Sequence, residues 1–469
     1  MLKGFTRKFK PLEILTEEQL EAIHRGILDV LWETGVRMEH ERGLQLLEKN
    51  GCKVDYDEMR VRFPPGLVEE CIRRCPSSFR VKAREPKDDL IIGGNTVYFV
   101  GSPGMQTVDL DTWEPRDATR QEYHDAVTVL DALPNYHLFC CYTPYFGFEG
   151  VPEVMKITEG FAARTRNSTK FSWSCFSMGC EIFNIEIAKA VGMETMIPGG
   201  MASPPLTISE DAVECAFRTL EAGMPTAVDT GTVFGATGPA TLAGSLVIYN
   251  AELIAGIVLI QVIKPGARTC VFGFPHPQNM RTGAPAFGAI GISLFDVALN
   301  QIWRKYGLPL RNTASAYTSS KQIDFQCGYE RAIPAILGAV SGAHFLHLYG
   351  GIHGELTHHP VQSILDEDIA GMIGRFIQGI EVSDETLAIE LINQVGPIPG
   401  NYLHTAHTRE WWKKEQFIPK TADRLTYPEW MKTGKKDCID YAKERMGEIL
   451  ATHKVSIPLT PGQEDDIGR

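Results

Sequence analysis

Two hydrophobic rhythms divide the chain. In the first, Leu20, Ile23, Ile27 and Leu31 fall on one helical face behind Thr16-Glu17-Glu18-Gln19, which reads as a capping box, and Gly35 is placed to stop that helix. A second helix carries Leu44, Leu46 and Leu47, residues 54–63 alternate as a short strand, and Pro64-Pro65 opens a third helix ending near Cys75. Residues 1–92 are thus expected to form a mostly helical N-terminal region. From about residue 95 short β-rich runs alternate with longer helical patterns. The runs are 96–100, 137–142, 170–175, 200–206, 225–229, 268–274, 309–314 and 344–349. The helices are 120–132, 151–164, 180–191, 209–222, 240–263, 285–306, 324–341 and 360–379. Such alternation predicts an α/β fold with a parallel sheet, and eight units predict a (β/α)8 TIM barrel over residues 93–380. The rival, an open doubly wound sheet, would want a G-x-G-x-x-G after its first strand, and none is there. Residues 381–469 predict a C-terminal helical extension: a helix at 384–394, a loop from Gly396 to Gly400, a polar segment 404–414, a helix at 436–450 and a poorly ordered tail.

Composition narrows the choice of class. The 469 residues are 43 % hydrophobic and 22 % charged, as in a globular protein with a sizeable core. A formal net charge of −12 argues against nucleic-acid binding, which needs a basic footprint. The 11 cysteines are scattered and form no C-x-x-C, so neither a zinc ribbon nor a disulfide framework is expected, and a reducing cytoplasm fits best. The N-terminus shows no apolar h-region, and the longest apolar run, 253–263, is too short to span a bilayer, so no membrane association is expected.

Barrel enzymes place their chemistry at the C-terminal ends of the strands. Those positions are aromatic and poor in carboxylates: Tyr98, Trp173, Phe274, Tyr317 and Tyr349 stand out, with glycine-rich stretches at 101–104, 230–238 and 349–354. Aromatic faces with few charges suit a quaternary ammonium, which offers no N–H and is held by ring quadrupoles. Arg311 on a strand is a partner for a carboxylate, with Asp229 and His276 as weaker candidates. His353, Glu355, His358 and His359 form the densest polar cluster; the gaps are wrong for a zinc-protease helix, which leaves polar recognition of a carboxylate or a metal-dependent barrel enzyme as readings. Asp324 reads equally as a helix N-cap or a site residue. No G-x-S-x-G, phosphate loop or PLP-type lysine context occurs, and no lysine lies between Lys321 and Lys413.

TEEQLEAIHRGILDVLWETGV and VDYDEMRVRFPPGLVEECIRRCPSSFRVKAREP resemble the N-terminal region of the trimethylamine methyltransferase family. TSSKQIDFQCGYERAIPAILGAVSGAHFLHLYGG and ILDEDIAGMIGRFIQGIEV resemble its late barrel segments, and the likeness spans about residues 8–450. The resemblance implies a (β/α)8 protein that passes a methyl group to the cobalt of a separate corrinoid protein and holds no cofactor of its own; a homo-oligomer is expected because barrels commonly associate. The founding members carry pyrrolysine; this chain has only standard residues, which places it with the branch that demethylates quaternary amines. Glycine betaine is the expected donor, with proline betaine or carnitine as alternatives. A quaternary ammonium already has a neutral amine as leaving group, so direct attack by Co(I) needs no general acid and the protein's work is positioning. On this reading Trp173, Phe274, Tyr317 and Tyr349 cage the ammonium, His353, Arg311 or backbone amides hold the carboxylate, and Tyr98 and Glu355 are further substrate-binding candidates.

Overall fold

The structure, a computed structural model, describes residues 3–468. Eight strands carry the alternation: β1 (Thr96–Gly101), β2 (Tyr136–Phe139), β3 (Phe171–Ser172), β4 (Ile197–Pro198), β5 (Thr226–Val228), β6 (Thr269–Val271), β7 (Arg311–Asn312) and β8 (Phe345–Tyr349). A helix follows each: α1 (Arg120–Ala132), α2 (Lys156–Asn167), α3 (Cys180–Ala190), α4 (Glu210–Glu221), α5 (Leu242–Ile263), α6 (Ile290–Tyr306), α7 (Phe325–Ser341) and α8 (Pro360–Ile377). The class is α/β. One parallel ladder runs β3-β2-β1-β8-β7 and another β4-β5-β6. Their ends approach: Val271 bridges Leu310 in parallel, and the Ser174 amide donates to the Met196 carbonyl at 2.9 Å.

Strands this short survive because both faces are buried. Tyr98, Val100, Leu138, Phe171, Trp173, Ala227, Cys270, Phe272 and Phe345 form one cluster between the strands, while Val97, Phe99, Phe139, Leu346 and Leu348 pack outward with the helices. An antiparallel hairpin of Ser78–Val81 and Leu90–Gly93 lends Phe79, Val81, Leu90 and Ile92 to the inner cluster. It covers the end of the strands at which the chain enters them.

The structure corrects the sequence reading in several places. The fourth strand lies at Ile197–Pro198, before Gly199 and Gly200; Ala202–Ser203 instead pairs with Thr207–Ile208 in a five-stranded sheet with the N-terminal region. Residues 54–63 are a hairpin, because the Asp55 carboxylate accepts from the Asp57 and Glu58 amides and turns the chain between Lys53–Asp55 and Arg60–Arg62. The 384–394 helix breaks at Ala388, whose φ of 49° is left-handed. The polar segment at 404–414 folds as the helix Ala406–Glu415. The tail is ordered as a helix, Pro461–Gly468, where Leu459 and Ile467 pack by α3 and Glu464 meets Arg166 at 2.8 Å.

The apolar run at 253–263 forms the second half of α5, the helix read from the sequence at 240–263. α5 is 22 residues long and apolar enough by composition to cross a bilayer. It is mostly buried inside the protein, against the helices Glu17–Asp29 and Pro65–Arg74 and against β5. Its polar residues are bonded in place, Asn250 to the Leu246 carbonyl and Gln261 to the Ala267 carbonyl. A helix that is apolar all round is stable in such a core.

Candidate functional site

A cavity of about 390 Å³ opens where the parallel strands end. Trp173, Phe274 and Tyr317 line it together with Tyr142, Met201 and Pro198. Trp173 lies just past β3, its ring 4.7 Å from Phe272 and 5.4 Å from His347. Phe274 follows β6, held by its amide's bond to the Thr230 carbonyl at 2.7 Å, and its ring is 4.8 Å from Tyr317. Phe287 backs both, 6.0 Å from Phe274 and 5.0 Å from Tyr317. The wall is therefore a set of rings that fix one another.

Two charges interrupt it. Arg311, the first residue of β7, donates from Nη2 to Asp229 at 3.2 Å, and its guanidinium lies 4.1 Å above the Phe272 ring. Asp229 follows β5; burial outweighs the attraction of Arg311 and lifts its carboxyl above the ordinary range. Its Oδ1 has no hydrogen-bond partner among the described residues, nor does Nε of Arg311. His347, on β8 and 1 % exposed, also lines the cavity with neither ring nitrogen bonded. Burial drives its pKa well below the usual value, so the imidazole is neutral. Buried polar atoms are normally paired, so unpaired atoms around a cavity mark a surface built for a ligand.

Buried groups behind the wall hold it. Glu252 of α5 accepts from Thr230 Oγ1 at 2.6 Å, Thr232 Oγ1 at 2.9 Å and the Leu206 amide at 2.9 Å, tying the loops after β4 and β5 together. Arg164 of α2 donates to the Cys141 and Thr143 carbonyls at 3.0 and 3.2 Å and fixes the loop after β2.

Several residues singled out in the sequence lie elsewhere. Tyr98 points between the strands but at their closed end, with its hydroxyl bonded to the Ile91 amide and carbonyl at 3.0 Å. Tyr349 points outward. The register of β8 on β1 shifts between His347 and Tyr349, and this irregularity reverses the expected facing; the Tyr349 hydroxyl donates to Glu367 of α8 at 2.7 Å. His353 and Glu355 sit outside the cavity lining, on the turn between Gly351–Ile352 and Thr357–His358. Glu355 remains close enough to influence Tyr317 and His276 electrostatically. The four-residue cluster does not converge as a metal site. His358 is buried against Tyr145 and Ser363, His359 caps α8 through the Val361 amide, and no group of three such donors forms among the described residues. Asp324 is an N-cap, accepting from the Cys327 amide at 2.8 Å. The His276 ring lies tilted against Phe274 with centroids 4.7 Å apart, beside the cavity.

The glycine stretches serve packing more than ligand approach. A Cβ on Gly350 or Gly104 would strike His358 at 2.0 or 2.3 Å; Gly231 lines the cavity, and there an added Cβ would meet the Phe274 carbonyl oxygen at an ordinary 3.8 Å. His347 and the thiols of Cys140 and Cys141 were missed as site residues, whereas Tyr142 and Cys175 close the runs 137–142 and 170–175 and so fell at strand ends without being assigned a contact. The alternation of β8 around Phe345 was the signal available for His347.

Comparison with known proteins decides the family. The family described as trimethylamine methyltransferase (MTTB) matches residues 1–467. The chain belongs to the trimethylamine methyltransferase family. It is 29 % identical over 460 residues to the glycine betaine methyltransferase of Desulfitobacterium hafniense, covering 94 % of this chain and 92 % of that one. It is 27 % identical to the trimethylamine methyltransferase MttB of Methanosarcina thermophila, covering 95 % and 94 %. Among solved structures, a hydroxylamine complex of MtmB aligns with a TM-score of 0.53 over 93 % of this chain and 88 % of its own, at 13 % identity, a likeness of fold alone. In this methyltransferase family the cavity at the strand ends is the candidate active site.

Proposed function

We propose that the chain is a cytoplasmic, corrinoid-dependent methyltransferase that takes a methyl group from glycine betaine, leaving dimethylglycine, and passes it to Co(I) of a separate corrinoid protein. On this reading the two parallel ladders are halves of one closed (β/α)8 barrel spanning residues 93–380, with residues 1–92 and 381–469 packed around it, and the enzyme works as a homo-oligomer. The observation that carries the donor is Arg311, paired with Asp229, in a cavity whose wall includes Trp173, Phe274 and Tyr317. A zwitterion with a methylated ammonium and a carboxylate matches that pair of features: Trp173, Phe274 and Tyr317 face the cation, and Arg311 takes the carboxylate. The glycine betaine methyltransferase relative supports the same donor.

The chemistry asks little of the protein. The bond from methyl carbon to nitrogen breaks with its electron pair leaving on a neutral amine, and the methyl is delivered to the acceptor brought by the partner. No lysine or other amine nucleophile lines the cavity among the described residues, so the chain's contribution is to hold one N-methyl toward the opening and keep water away.

The test offers glycine betaine, proline betaine, carnitine and trimethylamine separately to the protein with a Co(I) corrinoid protein and follows the visible spectrum. Methylation from glycine betaine alone is expected. Turnover with proline betaine or carnitine alone would replace the donor, and silence with every quaternary amine and a competent partner would overturn the reading.

A further inference from the structure

Three thiols meet on one side of the cavity, and no step of the proposed reaction uses them. Cys140 and Cys141 follow β2, Cys175 follows β3, and all three line the space. Cys141 lies two residues past β2 and Cys175 three residues past β3, on adjacent strands whose register is Leu138↔Phe171 and Phe139↔Ser172. The Cys141 sulfur is 3.8 Å from that of Cys140 and also interacts with Cys175. The Tyr142 hydroxyl donates to the Cys175 sulfur at 3.2 Å. Cys141 and Cys175 are partly exposed and Cys140 is buried, so the first two are the ones a small reagent reaches.

We propose that Cys141 and Cys175 form a thiol–disulfide modification site that takes small, uncharged or weakly charged organic disulfides and closes the cavity by cross-linking its wall. The Cys175 sulfur attacks one sulfur of the small disulfide, breaking its S–S bond and releasing one small thiolate, and leaves a mixed disulfide on Cys175. The Cys141 sulfur then attacks Cys175, forming the protein disulfide and expelling the second small thiolate. Two protein thiols are oxidised, one small disulfide is reduced to two small thiols, and the two protons lost by the protein go to them.

The surroundings fit these roles. Hydrogen bonds from the Cys141 thiol and then from the Tyr142 hydroxyl outweigh burial at Cys175 and lower its pKa, which suits the attacking sulfur. Cys141 is held as a thiol by its neighbours Cys140 and Cys175, and its carbonyl is anchored by Arg164, so it waits beside the mixed disulfide. A bond between Cys140 and Cys141 would instead close a strained eight-membered ring, whereas Cys141 and Cys175 come from separate segments and both face the cavity. The cross-link would tie the segment carrying Tyr142 to the one carrying Trp173 and take away the thiol that Tyr142 now meets.

The test is independent of the donor and of the corrinoid partner. Fully reduced full-length protein is incubated with 2-hydroxyethyl disulfide, quenched with acid and mapped by mass spectrometry. The expected product has lost two hydrogens, carries a Cys141–Cys175 cross-linked peptide and returns to the starting mass with dithiothreitol. Cys141→Ser should stop at a mixed disulfide on Cys175, and Cys175→Ser should give neither product. Modification confined to the exposed Cys438, or a cross-link joining Cys140 to Cys141, would overturn the assignment. The wild-type map does not depend on either variant folding.

Discussion

The two ends of the parallel strands carry similar side chains and treat them differently. At the closed end, Tyr98, His137 and His344 are buried among apolar neighbours, and each is bonded: Tyr98 to Ile91, His137 Nδ1 to the Phe99 amide at 2.9 Å, and His344 to the Leu310 amide at 3.2 Å and the Gly94 carbonyl at 3.1 Å. At the open end, His347 and Arg311 are buried and Asp229 is half-buried, and they leave ring nitrogens, a guanidinium nitrogen and a carboxylate oxygen without partners. Residue type does not separate structural from functional positions here. Hydrogen-bond satisfaction separates these six residues, although unpartnered buried atoms also occur away from the cavity, as at Tyr136, Asp296 and Trp303. Each such atom costs about 1–3 kcal/mol unless something supplies its partner, and around the cavity a ligand can do so.

The strongest way to break this comparison is Arg311→Met. It strands the buried Asp229 carboxylate, so unfolding free energy should drop by about 3 kcal/mol or more, and glycine betaine binding should weaken at least 100-fold, about 2.7 kcal/mol. Denaturant melts and calorimetry read the two effects. Asp229→Asn combined with Arg311→Met should recover most of the stability and none of the affinity. Recovery of both would assign the pair to structure alone.

A paired substitution compares the ends directly. Phe274→Leu keeps an apolar wall but removes a ring face, and it should raise the dissociation constant for glycine betaine by about 2 kcal/mol, roughly 30-fold. Tyr98→Phe should leave that constant unchanged and lower stability by about 1 kcal/mol through the lost bonds to Ile91. Equal effects on binding would dissolve the distinction.

Most of the scaffold was legible in the sequence. Seven of the eight parallel strands overlap the runs read from it, because a doubly buried strand is a short apolar stretch between turn signals. The fourth was displaced because its two residues, Ile197–Pro198, give little periodicity, and the alternation at 200–206 belongs to another sheet. At the site, Trp173, Phe274, Tyr317 and Arg311 were legible as residues near strand ends. Tyr349 was misplaced because a register shift is a backbone event with no side-chain signature. Tyr98 failed for another reason: alternation gives the face of a strand, not the depth along it. The histidines near 353–359 drew attention by density, which says nothing about whether their side chains converge.

Acid and alkali should act through different ends. Burial lifts the Asp296 carboxyl, on α6 near Arg311, to about 8. Between about pH 4 and 8 the folded protein therefore keeps a proton that the unfolded chain has lost, and stability falls as pH rises through this window, by up to about 1.4 kcal/mol per unit, levelling above it. His137 and His344 have the opposite sign. Burial lowers them to about 3 and about 4, so the unfolded chain binds protons first and stability falls as pH drops below about 6.5. Asp296→Asn should flatten the alkaline limb of a urea-midpoint profile from pH 5 to 9 and leave the acid limb in place. An unchanged alkaline limb would remove Asp296 as its source.

The smallest effect is expected at the edge of the site. His353 sits half-exposed in the turn between Gly351–Ile352 and Thr357–His358 with a left-handed φ of 53°, a region costly for most side chains and free for glycine. Its amide donates to the Ser320 carbonyl at 2.9 Å, and that backbone bond survives any substitution except proline. His353→Gly exchanges relief of that strain for a more flexible unfolded chain, two terms of similar size and opposite sign. Stability should stay within about 0.5 kcal/mol of the parent, and the Michaelis constant for glycine betaine should stay within about twofold. A rise comparable to that of Phe274→Leu would show that the turn closes over the cavity when the donor binds, and the open end would then extend beyond the rings that line it now.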